Sequence, residues 1–151
     1  MIAVDTNVLV YAHRREAPEH EVALGLMKRL SEGDAGWAIP WPCLFEFWSV
    51  VTNPRIWKAD ATIPEAAALQ IDAWLGSPTV RLLSETEEFW SILRRVVERP
   101  RVRGPVVHDA RIAALCLANG VETLLSRDRD FSLFPDLPIE DPFSPRKGRR
   151  R

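Results

Sequence analysis

The sequence predicts an α/β fold with a mostly parallel central sheet of about five strands, flanked by helices. Short apolar runs alternate along the chain with longer segments whose apolar residues recur about every 3.6 positions. This alternation is typical of buried parallel strands connected by helices. The chain has 151 residues, of which 46% are hydrophobic, which suits one globular domain with a core.

Short apolar runs between turn residues mark the strands. Examples are IAVD at the start of the chain and TVRLL near its middle, and both are too short for helices. The predicted strands, the last of them the shortest, are residues 2–5, 36–39, 79–83, 122–125 and 138–140.

Helix start and stop signals lie between these strands. Thr6 is placed as an N-cap, and Pro42 opens a helix that Asn53-Pro54 ends. Two tetrads, Thr62-Ile-Pro-Glu65 and Ser84-Glu-Thr-Glu87, have the spacing of a capping box. The predicted helices are residues 6–13, 18–31, 42–52, 62–75, 84–98 and 104–118.

The composition argues against a membrane or secreted protein. No segment is long and apolar enough to span a bilayer, and Asp5 interrupts the apolar N-terminal run. Cys43 and Cys116 lie in apolar segments that read as helices, so we expect reduced core thiols rather than a disulfide or a zinc site. These features favour a cytoplasmic protein.

Charge is distributed unevenly along the chain. The net charge is −1, but five of the last six residues are basic. Without those five, 15 basic residues stand against 21 acidic ones, so residues 1–145 carry a net charge of about −6. We expect residues 1–143 to form the domain and residues 144–151 to be a basic, disordered tail with at most a weak electrostatic role in binding.

Four carboxylates fall where a parallel sheet places its ligand site. Asp5 ends the first predicted strand, Asp128 follows the fourth, and Asp109 lies in the first turns of a helix. Glu46 is the one charged residue in the apolar stretch PCLFEFWSVV. Because ligands of open parallel sheets bind beyond the carboxyl ends of the strands, we expect these side chains to converge.

A convergent group of carboxylates calls for positive charge. Like charges raise one another's pKa, and a hard divalent cation with oxygen ligands, Mg²⁺ or Mn²⁺, relieves the repulsion. Each residue also has a structural reading: Asp5 as an N-cap, Asp109 as a partner of the helix dipole, Asp128 as a turn residue. Glu46 could instead extend along its helix to Arg55.

Four motifs in this order resemble the PIN-domain ribonucleases, and among them the VapC-type toxins of bacterial toxin–antitoxin pairs. The motifs are Asp5-Thr6-Asn7, the helical Glu46, His108-Asp109-Ala110, and Ser126–Phe131 with the sequence SRDRDF. The resemblance extends from residue 1 to about residue 143. It implies a Mg²⁺- or Mn²⁺-dependent endoribonuclease that hydrolyses RNA with a metal-activated water molecule, with Asp5, Glu46, Asp109 and Asp128 as catalytic metal ligands.

The resemblance also implies supporting residues and partners. Ser126 and Asn7 would hydrogen-bond the carboxylates or a bound water, and Asp130 would be a turn former or an outer partner. Family members commonly form homodimers, and a VapB-like antitoxin covers the acidic pocket with its C-terminal segment.

An acidic pocket needs cations around it if it is to accept RNA. Arginines flank the last two acidic motifs, and we expect a phosphate-contacting rim at Arg101, Arg103, Arg127 and Arg129. The alternative is that these side chains are only solvated. A metal-free ribonuclease would instead need an acid–base pair, and the three histidines show no sign of converging.

Other function classes remain open at this stage. A catalytically silent PIN-like module could bind RNA or protein, although the acidic set is complete. A PIN nuclease could act in host RNA processing or on DNA rather than as a toxin. A phosphatase using Asp5 as nucleophile is disfavoured, because no lysine lies near an acidic motif.

Overall fold

Five parallel strands form the centre of the computed structural model, which describes residues 1–98 and 102–145. The strands are β1 (Ile2–Val4), β2 (Trp37–Pro40), β3 (Val80–Leu83), β4 (Thr123–Leu125) and β5 (Ile139–Glu140). Their order in the sheet is β3-β2-β1-β4-β5, and every adjacent pair is parallel. The predicted α/β class, the strand number and the parallel pairing are therefore confirmed.

Helices connect the strands. Within the described ranges they are α1 (Thr6–His13), α2 (His20–Glu32), α3 (Trp41–Val51), α4 (Pro54–Trp57), α5 (Pro64–Leu75), α6 (Phe89–Val97) and α7 (Val106–Ala118), with 3₁₀ turns at Lys58–Asp60 and Arg129–Leu133. Most bounds agree with the sequence prediction within two residues. None of the described helices is long and apolar enough to cross a membrane.

Neither predicted capping box begins a helix, and this part of the prediction was wrong. Helix α5 begins at Pro64, and the Thr62 hydroxyl instead contacts His13 Nε2 at 3.0 Å. Helix α6 begins only at Phe89, while Glu85 accepts hydrogen bonds from Arg111 of α7. The Thr62 hydroxyl thus has a tertiary partner in place of the local cap that the pattern assigned to it.

The core lies between the sheet and the helices on its two faces. Its largest fully buried side chains come from every layer: Trp37 and Ile39 of β2, Phe47 of α3, Leu115 of α7 and Phe131 after β4. Strand β2 is buried along its whole length, as a central parallel strand should be. Both cysteines are free and buried, as predicted.

The topology sets the place for a ligand. Connections from β1 lead to β2 on one side, whereas β4 pairs with β1 on the other, so the order reverses between β1 and β4. In open parallel sheets the crevice at such a switch point, beyond the carboxyl ends of the strands, binds the ligand. Asp5 and Ser126 are the first residues after these two strands.

Candidate active site

Asp5 sits at the switch point, directly after β1 and ahead of α1. Its backbone N–H donates to Leu125 O at 3.0 Å, which fixes the residue beside the end of β4. The side chain is only 4% exposed. Burial raises the pKa of the Asp5 carboxyl to about 6, and the nearby Glu46 carboxylate contributes to the rise.

Hydrogen bonds partly offset the burial of Asp5. The Ser126 hydroxyl donates to Oδ2 at 2.6 Å, and the Asn7 amide donates to the same oxygen at 2.9 Å. The Cys43 thiol lies 3.6 Å from Oδ1 and donates to it. Donors to a carboxylate favour its ionised form, so this cluster keeps Asp5 available as an anion in a buried position. The sequence reading missed Cys43, which it assigned to the core alone.

Ser126 also organises the loop that carries the next carboxylate. Its Oγ accepts hydrogen bonds from the Asp128 backbone N–H at 2.9 Å and from the Asn7 amide at 3.1 Å. Asn7 Oδ1 in turn accepts from the Arg127 backbone N–H at 3.3 Å. The hydroxyl and the amide therefore hold the start of α1 and the loop after β4 in one arrangement.

Glu46 lies in α3 and faces the same pocket. Its neighbours diverge, because Phe47 is fully buried whereas Phe45 is 66% exposed. The Thr6 hydroxyl donates to Glu46 Oε2 at 2.7 Å. This contact explains a carboxylate within an apolar helix, and the alternative pairing with Arg55 is not observed among the described residues. The expected N-cap role of Thr6 was wrong: Asp5 occupies the cap position, and Thr6 orients Glu46.

Asp109 projects from the first turn of α7. Its pKa is raised to about 7, first by burial and then by the nearby charges of Asp128, Asp5, Asp130 and Glu46. A partly buried carboxyl group with four carboxylate neighbours retains its proton more readily than a free one unless positive charge is supplied.

Asp128 and Asp130 follow β4 on an exposed turn. Asp128 caps the 3₁₀ turn by accepting a hydrogen bond from the Asp130 backbone N–H at 2.9 Å. One carboxylate oxygen each from Asp109, Asp128 and Asp130 lie within 4.8 Å of one another. Asp130 therefore lies close enough to Asp109 and Asp128 to share a metal ion with them, which a turn former alone would not need.

The four principal carboxylates line one pocket of about 270 Å³. Asp5, Glu46, Asp109 and Asp128 all border it, together with Thr6, Asn7, Val10, Tyr11 and Val50. The donor set consists of hard oxygen ligands. Burial raises the pKa of two of them, Asp5 and Asp109, and the neighbouring carboxylates add to the rise. These residues fit a divalent cation such as Mg²⁺ or Mn²⁺ and do not fit a soft metal.

A larger groove of about 820 Å³ lies at the opposite ends of the strands. Met1, Gly36 and Thr79 are among its lining residues, with Arg81 and Glu122 as part of its charged surface. It contains no carboxylate cluster in the described chain and lies away from the switch point. The smaller acidic pocket is therefore the candidate active site, because its lining residues can bind a metal ion.

The candidate RNA-binding arginines are in different situations. Arg127 forms ion pairs with Glu19 and, at 3.9 Å, with Asp141, while its side chain remains 41% exposed. Arg103 and Arg129 are exposed. Arg101 and residues 146–151 of the basic tail lie outside the described residues.

The histidines do not contribute to the pocket. His13 contacts Gln70 and Thr62, and burial lowers its pKa. His20 Nδ1 contacts Tyr11 O at 2.9 Å, and His108 is exposed on α7. None of the three lines the acidic pocket, so an acid–base mechanism built on a histidine pair has no support.

An α/β fold with an acidic pocket at the β1/β4 switch point is typical of a class of metal-binding hydrolase domains. The profile of the PIN-domain family matches residues 2–137. The chain therefore belongs to the PIN-domain family, which confirms the resemblance seen in the sequence.

Relatives from mycobacteria carry the VapC name. Ribonuclease VapC48 of Mycobacterium tuberculosis is 37% identical over 140 residues, which cover 93% of this chain and 96% of the relative. Ribonuclease VapC43 of the same organism is also 37% identical, over 142 residues that cover 94% and 95%.

Solved structures share the fold at lower identity. A chain of the Rickettsia felis VapBC2 complex with promoter DNA has a TM-score of 0.64 at 21% identity, covering 93% of this chain and 98% of that one. VapC20 of Mycobacterium tuberculosis, described as a toxin that cleaves the sarcin–ricin loop, has a TM-score of 0.63 at 20% identity, covering 87% and 93%.

Proposed function

We propose that this protein is a metal-dependent endoribonuclease and the toxin component of a VapBC-type toxin–antitoxin pair. The observation that carries the proposal is the convergence of Asp5, Glu46, Asp109 and Asp128 on one pocket at the switch point of a PIN domain. The relatives at 37% identity are named ribonucleases over nearly their whole length, which supports the same activity here.

Asp5, Asp109 and Asp128 would hold the cation, with Glu46 and Asp130 close enough to complete or support its shell. When bound, a divalent cation supplies an activated water molecule and offsets the negative charge that develops on a phosphodiester. Mg²⁺ is the expected ion, and Mn²⁺ is expected to substitute for it. Burial and the neighbouring carboxylates raise the pKa of Asp109 to about 7, and a cation at this position would favour its ionised form.

The protein supplies orientation. Ser126 and Asn7 hold Asp5 as a carboxylate, and Thr6 holds Glu46 toward the pocket. Such supporting hydrogen bonds keep metal-binding side chains in a productive geometry before substrate arrives. None of these residues needs to move for a phosphate to approach from the solvent side of Asp128, which is exposed.

The expected partners follow from the same assignment. A VapB-like antitoxin would cover the acidic pocket, and an arginine side chain among the carboxylates would supply the charge that the cation otherwise provides. We expect a homodimer acting in the cytoplasm, with exposed arginines such as Arg103 guiding RNA to the pocket. Copurification with the product of an adjacent small reading frame would support the toxin assignment.

The direct test is cleavage of total bacterial RNA in the presence of Mg²⁺ or Mn²⁺. We expect discrete products that disappear with EDTA and with Asp109→Asn. Asp34→Asn is the matched control, because Asp34 is exposed beside the groove at the amino ends of the strands. Equal cleavage by the two variants would contradict the assignment, and the absence of both cleavage and metal binding would favour a silent binding module.

A further inference from the structure

A second groove adjoins the acidic pocket on the far side of Asp128. Its volume is about 610 Å³, within the range of sites that enclose a nucleotide-sized ligand. Asp128 borders both cavities, so the groove and the acidic pocket adjoin at this residue. The lining of this groove also includes Arg127, Arg129, Ser132, Phe143, Ser144 and Pro145.

One wall of the groove is the segment 141–145, which Arg127 holds in place. Its guanidinium forms ion pairs with Asp141 and with Glu19 at the start of α2, and lies 5.4 Å from the centre of the Phe143 ring. The edge of Phe143 packs on Tyr11, which also lines the acidic pocket, with 5.2 Å between ring centres. Arg127 is therefore part of the wall and is not a free cation.

Hydrogen bonds within the segment 141–145 fix its conformation. Asp141 accepts hydrogen bonds from the Phe143 backbone N–H at 2.9 Å and from the Ser144 hydroxyl at 2.8 Å. The groove wall is thus a defined turn whose apolar surface comes from Phe143 and Pro145. Such a surface can receive a nucleobase without reading its identity.

Arg129 is a positively charged residue of the groove whose side chain is available to a ligand. Its side chain is exposed, lines the groove, and has no ion-pair or hydrogen-bond partner in residues 1–98 and 102–145. Ser132, one turn further along the 3₁₀ segment, is also exposed and its hydroxyl is unpartnered in the same ranges. An exposed arginine, a hydroxyl and an apolar surface that line the same groove match the phosphate and the base of a nucleotide.

We propose that the groove beyond Asp128 binds a single-stranded RNA nucleotide next to the scissile phosphate. Arg129 contacts the backbone phosphate, assisted by Ser132, and the base lies against Phe143 and Pro145. Arg127 shapes the groove and contributes no phosphate contact. This assignment rests on the proposed ribonuclease function and extends it from the acidic pocket to the flanking substrate.

The test measures RNA affinity against salt concentration. A short fluorescein-labelled single-stranded RNA is titrated with the full chain carrying Asp109→Asn, which prevents cleavage during the measurement. In that background, Arg129→Ala should weaken binding several-fold and reduce the slope of log K against log salt by about 0.7, the value for one phosphate contact on a single strand. Arg129→Lys should retain the slope.

Matched variants separate the groove from general charge. Arg81→Ala removes an exposed arginine on β3, at the far edge of the sheet, and should leave affinity and slope unchanged. Phe143→Ala should weaken binding with an unchanged slope, because it removes apolar contact and no charge. A loss in Arg129→Ala no larger than that in Arg81→Ala would overturn the proposal.

Cleavage by the unsubstituted chain distinguishes this proposal from the proposed function. If it cleaves RNA with Mn²⁺ and Arg129→Ala binds normally, the groove assignment fails and the nuclease assignment stands. If it does not cleave but Arg129→Ala still reduces the salt slope, the nuclease assignment fails, and the groove remains a site for single-stranded RNA without a neighbouring scissile phosphate. Absence of both cleavage and RNA binding overturns both.

Discussion

Ser126 Oγ donates a 2.6 Å hydrogen bond to Asp5 Oδ2, although the two residues are 121 positions apart in the chain. Both side chains are almost completely buried, at 1% and 4% exposure. The bond joins the ends of β1 and β4, the two strands between which the sheet order reverses. It also opposes the effect of burial, which raises the pKa of Asp5, and so favours the ionised carboxylate.

Replacing Ser126 with alanine should therefore affect both stability and activity. The change leaves a buried carboxylate without its shortest hydrogen bond and removes the acceptor for the Asp128 backbone N–H. We expect a loss of about 1–3 kcal/mol in the free energy of unfolding at neutral pH. The pH at which cleavage reaches half its maximum should increase, because Asp5 would ionise less readily.

Denaturant unfolding and a pH–rate profile measure these two effects. Ser126→Thr is the control, since it keeps the hydroxyl and adds only a methyl group. A profile for Ser126→Ala that coincides with that of the unsubstituted protein would show that the hydroxyl does not tune Asp5.

Thr6→Val should lower activity while preserving the fold. Valine has nearly the shape of threonine but cannot donate the 2.7 Å hydrogen bond to Glu46 Oε2. Loss of a bond that orients a metal-site carboxylate typically reduces metal affinity or activity by about 10- to 100-fold. Mn²⁺ titration and cleavage rates test the effect, with Thr6→Ser expected to restore most of both. If Thr6→Val retains both the Mn²⁺ affinity and the cleavage rate of the unsubstituted protein, the Thr6 hydroxyl does not orient Glu46 for metal binding.

The raised pKa values predict how stability depends on pH without added metal. Asp5 and Asp109 have an ordinary value of 3.8 and folded-state values of about 6 and about 7. At pH values between the ordinary pKa of 3.8 and these folded-state pKa values, the folded protein retains protons that the unfolded chain has released. The stabilisation from both groups is therefore complete below about pH 4 and is lost as pH rises through about 7.

Asp109→Asn removes one of these groups. In EDTA, the thermal midpoint of the unsubstituted protein should decrease between about pH 5 and about pH 8 more than that of Asp109→Asn. Asp34→Asn should follow the unsubstituted protein, because Asp34 is exposed. Mn²⁺ at about pH 8 should stabilise the unsubstituted chain and have little effect on Asp109→Asn. Parallel pH curves for all three proteins would be inconsistent with the raised pKa of Asp109.

The parts of the fold that follow from short-range pattern were predictable. Apolar runs of strand length identified the sheet, and the rule that parallel strands expose ligands at their carboxyl ends placed Asp5 and Asp128 together. Glu46 was recognisable because an ionised group in an apolar helix needs a partner. These inferences needed only the order of elements along the chain and the chemistry of single residues.

The parts that depend on distant partners were not predictable. Arg127 pairs with Glu19, which lies 108 residues away, and nothing local in the sequence signals this ion pair. The tetrad at Thr62 had the spacing of a capping box, yet the hydroxyl is used by His13, 49 residues earlier. The sequence shows which groups are available, whereas tertiary packing decides between competing partners.

Arg14 shows the same dependence and was not singled out from the sequence. It follows α1 and is only 7% exposed. Its Nη1 donates to Asp60 O at 2.8 Å, its Nη2 pairs with Glu16, and its guanidinium carbon lies 3.8 Å from the centre of a Trp57 ring. These contacts attach the segment after α4 to the end of α1, so the residue is a structural anchor.

Arg14→Ala should consequently destabilise the protein without changing its interaction with RNA. Loss of the hydrogen bond to Asp60 O and of the stacking on Trp57 should lower the free energy of unfolding by about 2 kcal/mol. Arg15→Ala is the matched control: the side chain is exposed, and the cost should stay within about 0.5 kcal/mol. Denaturant unfolding measures both values, and the salt dependence of RNA binding should be the same for the two variants. A smaller salt slope for Arg14→Ala alone would mean that this buried guanidinium contacts phosphate, contrary to the anchoring role.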